Sequence, residues 1–188
     1  MNPDYQKLFE DTYSHMLPYI TPDDVVVEIG IRNDRGVISS RMFKCKEFIG
    51  VDARPERVQM GAVGDIDQLV VADALKDILP ECDVMITTAL IHHHPKEILE
   101  DALKHLGKYT RKYLIISGPN GDVQTSLYGD HQYHLRKEDI EEIAYKAGFT
   151  VEKVLYSDDS APPVHFFGPE IALSWVKDGQ ITLVLKHG

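Results

Sequence analysis

The stretch Asp24-Val25-Val26-Val27-Glu28-Ile29-Gly30, followed after a gap by Phe48-Ile49-Gly50-Val51-Asp52, decides how this chain folds. Val25 to Ile29 is an apolar run rich in β-branched residues, as expected of a parallel strand buried on both faces, and Phe48 to Val51 is a second. Between them lie a polar loop closed by Gly36 and a short segment, Val37 to Phe43, that can be helical. An acidic residue at the end of the second strand, about 20 residues past the loop, is how a βαβ unit grips the ribose of a nucleotide-like ligand. The stretch therefore favours a ligand-binding enzyme over a scaffold.

Working outward, the first segment reads as a helix. Asn2 can cap it, Pro3 suits its first position, and Leu8, Phe9, Tyr13, Met16 and Leu17 recur on one face. Pro18 and Pro22 end it. Pro55 starts a short helix through Met60, Leu69 to Ala72 reads as a third strand ending at Asp73, and Val84 to Thr88 as a fourth. After three consecutive histidines, Pro95 opens a helix striped with Ile98, Leu99, Ala102, Leu103 and Leu106. Tyr113 to Ser117 is a fifth strand, broken by Gly118-Pro119-Asn120-Gly121. A helix over Lys137 to Ala147 buries Ile140, Ile143 and Ala144, and Gly148 takes its left-handed cap. Val151 to Tyr156 is a sixth strand. Asp178-Gly179, between Ala172–Val176 and Ile181–Leu185, signals a hairpin. Strands alternating with helices imply a parallel sheet covered on both faces, with the hairpin as an antiparallel edge. Asp158 to Gly168 reads as a loop insertion, so residues 1–188 are expected to form a single domain.

Composition narrows the function classes. The formal net charge is -10 and no basic block offsets it, so no large nucleic-acid partner is expected and a small-molecule substrate fits better. No apolar run approaches the roughly 20 residues that span a bilayer. The N-terminus lacks the basic and apolar regions of a signal peptide, and the two cysteines, Cys45 and Cys82, form no Cys-x-x-Cys pair. A cytoplasmic protein with reduced thiols follows as the default. Oligomeric state is left open.

The order of these motifs resembles the class I S-adenosylmethionine-dependent methyltransferases, especially small-molecule enzymes of the ubiquinone-biosynthesis type. The resemblance is carried by VVVEIG at 25–30, GVDARPE at 50–56, VVADAL at 70–75, CDVMITTALIHHHP at 82–95 and HLRKEDIEEIAYKAGFTVEKV at 134–154. It implies a Rossmann-like three-layer sandwich, α/β, with a mostly parallel seven-stranded sheet and a C-terminal antiparallel hairpin. It also implies S-adenosylmethionine as the cofactor and methyl transfer to a small acceptor. Gly30 would lie beside the methionine part of that cofactor, with Glu28 beneath it ordering the loop. Asp52 would accept hydrogen bonds from both ribose hydroxyls, and Ala53 would pack near adenine. Asp73 and Ala74 resemble the position that reads the adenine amino group, although Asp73 serves equally well as a cap for the turn at Leu75 to Leu79. Thr88 would end the fourth strand beneath the methyl donor.

The chain departs from the family in its first loop. The usual pattern is Glu-x-Gly-x-Gly-x-Gly, whereas here Glu28-Ile29-Gly30 continues as Ile31-Arg32-Asn33-Asp34-Arg35-Gly36. The expectation is a longer loop that bows outward, with Gly36 taking over as the last glycine.

Histidines supply the candidate catalytic groups. His92 or His93 can line the pocket over the methyl donor, as the family's His-His pair does, or cap the helix after Pro95. His131 is the candidate base: a neutral imidazole can take a proton from a substrate hydroxyl as the methyl arrives. Tyr133 and His134 beside it can orient an acceptor or simply shape the helix start. No metal site is expected, because consecutive histidines cannot all face one ion from a regular helix or strand and no acidic residues cluster beside them. Two rivals remain: a degenerate member of this fold that binds without turnover, and a nicotinamide-dependent oxidoreductase, whose Gly-x-Gly-x-x-Gly fingerprint the chain lacks.

Overall fold

The computed structural model describes residues 3–31, 33–60, 65–88, 90–123, 131–156 and 180–187. Its frame is a seven-stranded sheet of β1 (Val25–Ile29), β2 (Glu47–Asp52), β3 (Gln68–Val71), β4 (Cys82–Thr88), β5 (Thr110–Pro119), β6 (Phe149–Tyr156) and β7 (Gln180–His187). Their spatial order is β3-β2-β1-β4-β5-β7-β6. The first five run parallel, and β7 lies antiparallel to both β5 and β6. The helices are α1 (Pro3–Ser14), α2 (Asn33–Met42), α3 (Pro55–Met60), α4 (Leu99–Gly107) and α5 (Lys137–Lys146). Short 3-10 turns cover Leu17–Tyr19, Ile91–His93 and Lys96–Ile98.

Alternation along the strands sorts the core into two layers. On one face Tyr13, Met16, Ile31, Ile38 and Phe43 pack on Val26, Phe48, Val84, Ile86, Ile115 and Val184. On the other, Leu99, Leu103 and Leu106 of α4, with Ile140, Ile143 and Ala144 of α5, pack on Val27, Ile29, Val51, Met85, Leu114 and Ile116. Helices on both faces of a mostly parallel sheet make the expected three-layer sandwich. The chain winds outward from β1 through β2 to β3, then returns to lay β4 and β5 on the other side. That reversal opens a crevice at the C-terminal ends of β1 and β4, the place where open α/β sheets bind ligands.

Several elements differ from the sequence expectation, each for a physical reason. α2 starts at Asn33, not Val37, so helix begins three residues after Gly30 and the long bowed loop up to Gly36 is not formed. Asn and Asp are residues that readily start helices, and an acidic first turn complements the helix dipole. β5 does not stop at Ser117 but runs through Gly118 and Pro119. Proline is tolerated there because its pairing with β4 ends at Thr88↔Ser117, and only β7 continues alongside. β7 is not an edge strand: it is inserted between β5 and β6, consistent with its buried run Ile181–Leu185. Ile98 falls in the 3-10 turn before α4 and is partly exposed, as is Leu17 beyond α1. Gly148 has the expected positive φ of 88° at the end of α5. Asn2, Asp158–Gly168, Ala172–Val176 and the Asp178-Gly179 turn lie outside the described residues.

Candidate functional site

Glu28 organises the floor of the crevice. It is fully buried near the end of β1, where the sequence places a carboxylate among valines. Tyr13 Oη donates to its Oε1 at 2.6 Å, Thr88 Oγ1 donates to the same oxygen at 3.0 Å, and Ser39 Oγ donates to Oε2. One carboxylate thus ties α1, α2 and β4 to β1, a wider role than ordering the loop. Thr88 lies at the end of the fourth strand as expected, with its hydroxyl turned to Glu28. Tyr13 and Ser39 were not legible as site residues, because each also reads as an ordinary member of an apolar helix face or a polar helix position.

Gly30 follows with φ 74°, a left-handed conformation that favours glycine. A Cβ added there would meet no atom of the described residues within 4 Å, so backbone shape is the constraint. Gly30 N–H and Ile31 N–H both donate to Val51 O, at 2.8 and 3.1 Å, which seats the turn against the end of β2. Gly36 has a different job. It lies inside α2, where a Cβ would come within 2.5 Å of Ile31 Cγ1. Gly50 would clash with Ile31 Cδ1 at the same distance. Gly36 and Gly50 therefore form a socket for the buried Ile31 side chain, and Gly36 lies in the first turns of α2 and not in a loop.

Asp52 ends β2 beside that turn and is buried. Its Oδ1 accepts from Arg54 N–H at 2.9 Å, and Arg54 Nε stands 3.9 Å away. Ala53 is exposed next to it. At the end of β3, Asp73 performs the capping alternative: its Oδ1 accepts from Leu75 N–H at 3.0 Å and Oδ2 from Lys76 Nζ at 2.8 Å. These bonds, from Lys76 first and Leu75 second, hold the Asp73 carboxyl below the usual carboxylate range. Ala74 is buried behind it.

Across the crevice, histidines from two distant segments meet. The 3-10 turn Ile91–His93 bends the chain enough for consecutive rings to share one side, with His92 and His93 centroids 4.2 Å apart. His131 comes within 4.2 Å of His92 and 5.2 Å of His93. The two segments are pinned by backbone: His92 O accepts from Gln132 N–H at 2.8 Å and Tyr133 N–H at 3.2 Å, and His93 O accepts from Gln132 Nε2 at 2.9 Å. Leu135 N–H donates to Pro119 O at 2.9 Å, fastening the same segment to the end of β5. Gly118 matters here because a Cβ would press on His92 Nδ1 at 3.3 Å and Leu135 Cδ1 at 3.2 Å.

His134 is buried, and its Nε2 lies 2.9 Å from His131 Nδ1. Tyr133 turns away: its hydroxyl donates to Asp139 Oδ2 at 3.0 Å and accepts from Arg136 N–H at 3.3 Å. Burial foremost, with the Asp139 bond, pushes the Tyr133 hydroxyl pKa well up, so it is no base near neutrality. His94 departs toward Asp73. Burial, then the neighbouring His93, lowers its pKa. The run of three histidines is thus split, and the third ring of the cluster comes from His131.

No protein-family model matches the chain, and no curated protein matches it. Solved structures do. Magnesium protoporphyrin IX methyltransferase from Synechocystis PCC 6803, with bound S-adenosylhomocysteine, aligns at TM-score 0.72 and 13% identity over 98% of this chain and 84% of its own. A S-adenosylmethionine-dependent methyltransferase from Archaeoglobus fulgidus aligns at TM-score 0.70 and 18% identity, covering 96% and 94%. One from Clostridium acetobutylicum aligns at 0.69 and 12% identity, covering 100% and 93%. Sheet order, crevice and these likenesses agree: the chain has the class I S-adenosylmethionine-dependent methyltransferase fold.

Proposed function

We propose that this protein is an enzyme that transfers a methyl group from S-adenosylmethionine to a small-molecule acceptor. The observation that carries the reading is the buried Asp52 carboxylate at the end of β2, directly beside the positive-φ turn at Gly30. A strand-end carboxylate suits a ribose diol, and a glycine turn with no side chain lets a ligand lie on backbone. The group fits these residues: Asp52 would hold the ribose, the Gly30 turn the methionine part, with Ala53, Asp73 and Ala74 flanking the base. When bound, S-adenosylmethionine supplies a methyl already activated for in-line attack, so the protein's main work is alignment. His92, His93 and His131 face the acceptor side of this assignment. With His131 Nδ1 engaged by His134, its Nε2 is the nitrogen placed to take a proton from an acceptor hydroxyl, and His134 is a positioning residue.

The test is calorimetric titration of S-adenosylhomocysteine into wild type and Asp52→Ala. Loss of a buried hydrogen-bonding partner should weaken binding by about 1–3 kcal/mol. Equal affinities overturn the ribose assignment. A second reading draws on the sequence, where Arg32 and Asp34 stand at two positions that the family fills with glycine. Under it the protein binds a partner or ligand without turnover. Wild type that shows no thermal shift with S-adenosylmethionine would favour that reading.

A further inference from the structure

His92, His93 and His131 each bring a ring nitrogen to within 4.8 Å of the others. We propose that these three imidazoles form a site for one divalent transition-metal ion of the zinc type, leaving a coordination position for water or an acceptor oxygen or nitrogen.

Four observations converge on this. The ligand chemistry is selective, because three imidazoles without a carboxylate suit zinc, cobalt or nickel and offer nothing to magnesium or calcium. Three protein ligands with an open fourth position are also the arrangement of catalytic rather than structural zinc. The scaffold is built in advance: the backbone bonds from residues 132 and 133 to His92 O, and from the Gln132 side chain to His93 O, fix both segments before any ion arrives. An outer partner is already in place, since metal-bound histidines characteristically hydrogen-bond through their other ring nitrogen, and His131 Nδ1 meets the buried His134 at 2.9 Å. Zinc–nitrogen bonds near 2.1 Å put tetrahedral ligand atoms about 3.4 Å apart, so the rings must draw in by up to roughly 1.4 Å. His93 and His131 are half-buried and can do this by side-chain rotation, while buried His92 stays fixed. The expectation against a metal treated the histidines as a consecutive run. The ligand set instead skips His94 and recruits His131 from beyond β5.

The site stands on the three rings and not on the cofactor reading: with an ion bound, His131 Nε2 is a ligand and no longer the base, and the test needs no S-adenosylmethionine. Tag-free, full-length protein is stripped with chelator, loaded with zinc, desalted and measured for metal by mass spectrometry. Cobalt loading is followed by visible absorption. Wild type should retain about one zinc per chain and give the intense cobalt spectrum of a tetrahedral site. His131→Ala and His93→Ala should lose both. His94→Ala should keep both, and His134→Gln should bind about 10–100-fold more weakly. X-ray absorption of zinc-loaded wild type, expected to show three imidazole nitrogens, decides the matter if a variant fails to fold. Wild type that retains no zinc, or His93→Ala and His131→Ala proteins that bind it like wild type, would overturn the site. Neither result touches S-adenosylhomocysteine binding measured in chelator, so the two proposals fail separately.

Discussion

The two ends of the parallel strands treat carboxylates differently. At the N-terminal end, Asp24 pairs with Lys112, and Asp83 accepts from Arg111 Nε at 3.1 Å with Lys112 also 3.9 Å away. At the C-terminal end, Glu28 is held by three hydroxyl groups and Asp52 by a backbone N–H, with Arg54 3.9 Å from Asp52 and largely exposed. The first end pairs its acids with cations; the second holds Glu28 by hydroxyl dipoles and sets the largely exposed Arg54 beside Asp52. Hydroxyl donors from three elements fix where the Glu28 carboxyl sits, so at this end an acid joins elements together, whereas at the other end acids balance charge.

Removing the hub at the crevice end should cost most. Glu28→Ala removes the acceptor shared by three buried hydroxyls, so urea unfolding should shift by several kcal/mol, at about 1–3 kcal/mol for each bond lost. Tyr13→Phe removes one donor and should cost about 1 kcal/mol. A Glu28→Ala protein as stable as wild type would mean that the hydroxyls find other partners and the hub is not structural.

The opposite end should respond to acid. Burial alone would raise the Asp24 pKa, but hydrogen bonds from Lys112 and Thr21 outweigh it and hold the carboxyl below its ordinary value of 3.8. The Arg111 hydrogen bond lowers Asp83 likewise. A carboxyl whose folded pKa is depressed binds fewer protons in the native state, so its stabilisation is complete above the unfolded value and is lost as pH falls through the folded one. Melting temperature should therefore drop below about pH 4, and Asp24→Asn should flatten that drop while lowering stability at pH 7 by about 1–3 kcal/mol. Because Lys112 and Arg111 are half exposed, added salt should trim the effect. An unchanged acid profile in Asp24→Asn would erase the contrast between the two ends.

How much of this was legible depends on the range of the interaction. The strand cores, the α5 stripe Ile140, Ile143 and Ala144, and the Gly148 cap follow from periodicity and local chemistry, and they stand where the sequence puts them. Asp52 could be placed at the end of β2 because the apolar run before it marks the strand. The Glu28 hub spans residues 13 to 88, and the histidine cluster spans 92 to 134. Such long-range convergence leaves no periodic signature. The run His92-His93-His94 drew attention to itself but hid its real partner, because adjacency in sequence is a poor guide in a 3-10 turn. Pro119 misled in another way: proline breaks strands that need its N–H, and here β4 has already ended.

Glycine gives the smallest test, and it separates the two readings of the first loop. Gly30→Ala places a residue at φ 74° with no atom of the described residues within 4 Å of the new methyl, so it should cost the left-handed strain of about 1–2 kcal/mol. Gly36→Ala gains about 1 kcal/mol of helix propensity but drives a methyl into Ile31, an overpacking that costs about 1–3 kcal/mol. The net loss should be about 1 kcal/mol and should disappear when the Gly36→Ala, Ile31→Ala double variant is measured against Ile31→Ala, because both clashing carbons, Ile31 Cγ1 and Cδ1, are then gone. If Gly36 is a packing glycine, the double variant should also bind S-adenosylhomocysteine as Ile31→Ala does, whereas Gly30→Ala should bind it more weakly than wild type. Lost binding in a double variant as stable as Ile31→Ala would make Gly36 part of the cofactor site, and the turn at Gly30 would then need a second point of contact one helical turn away.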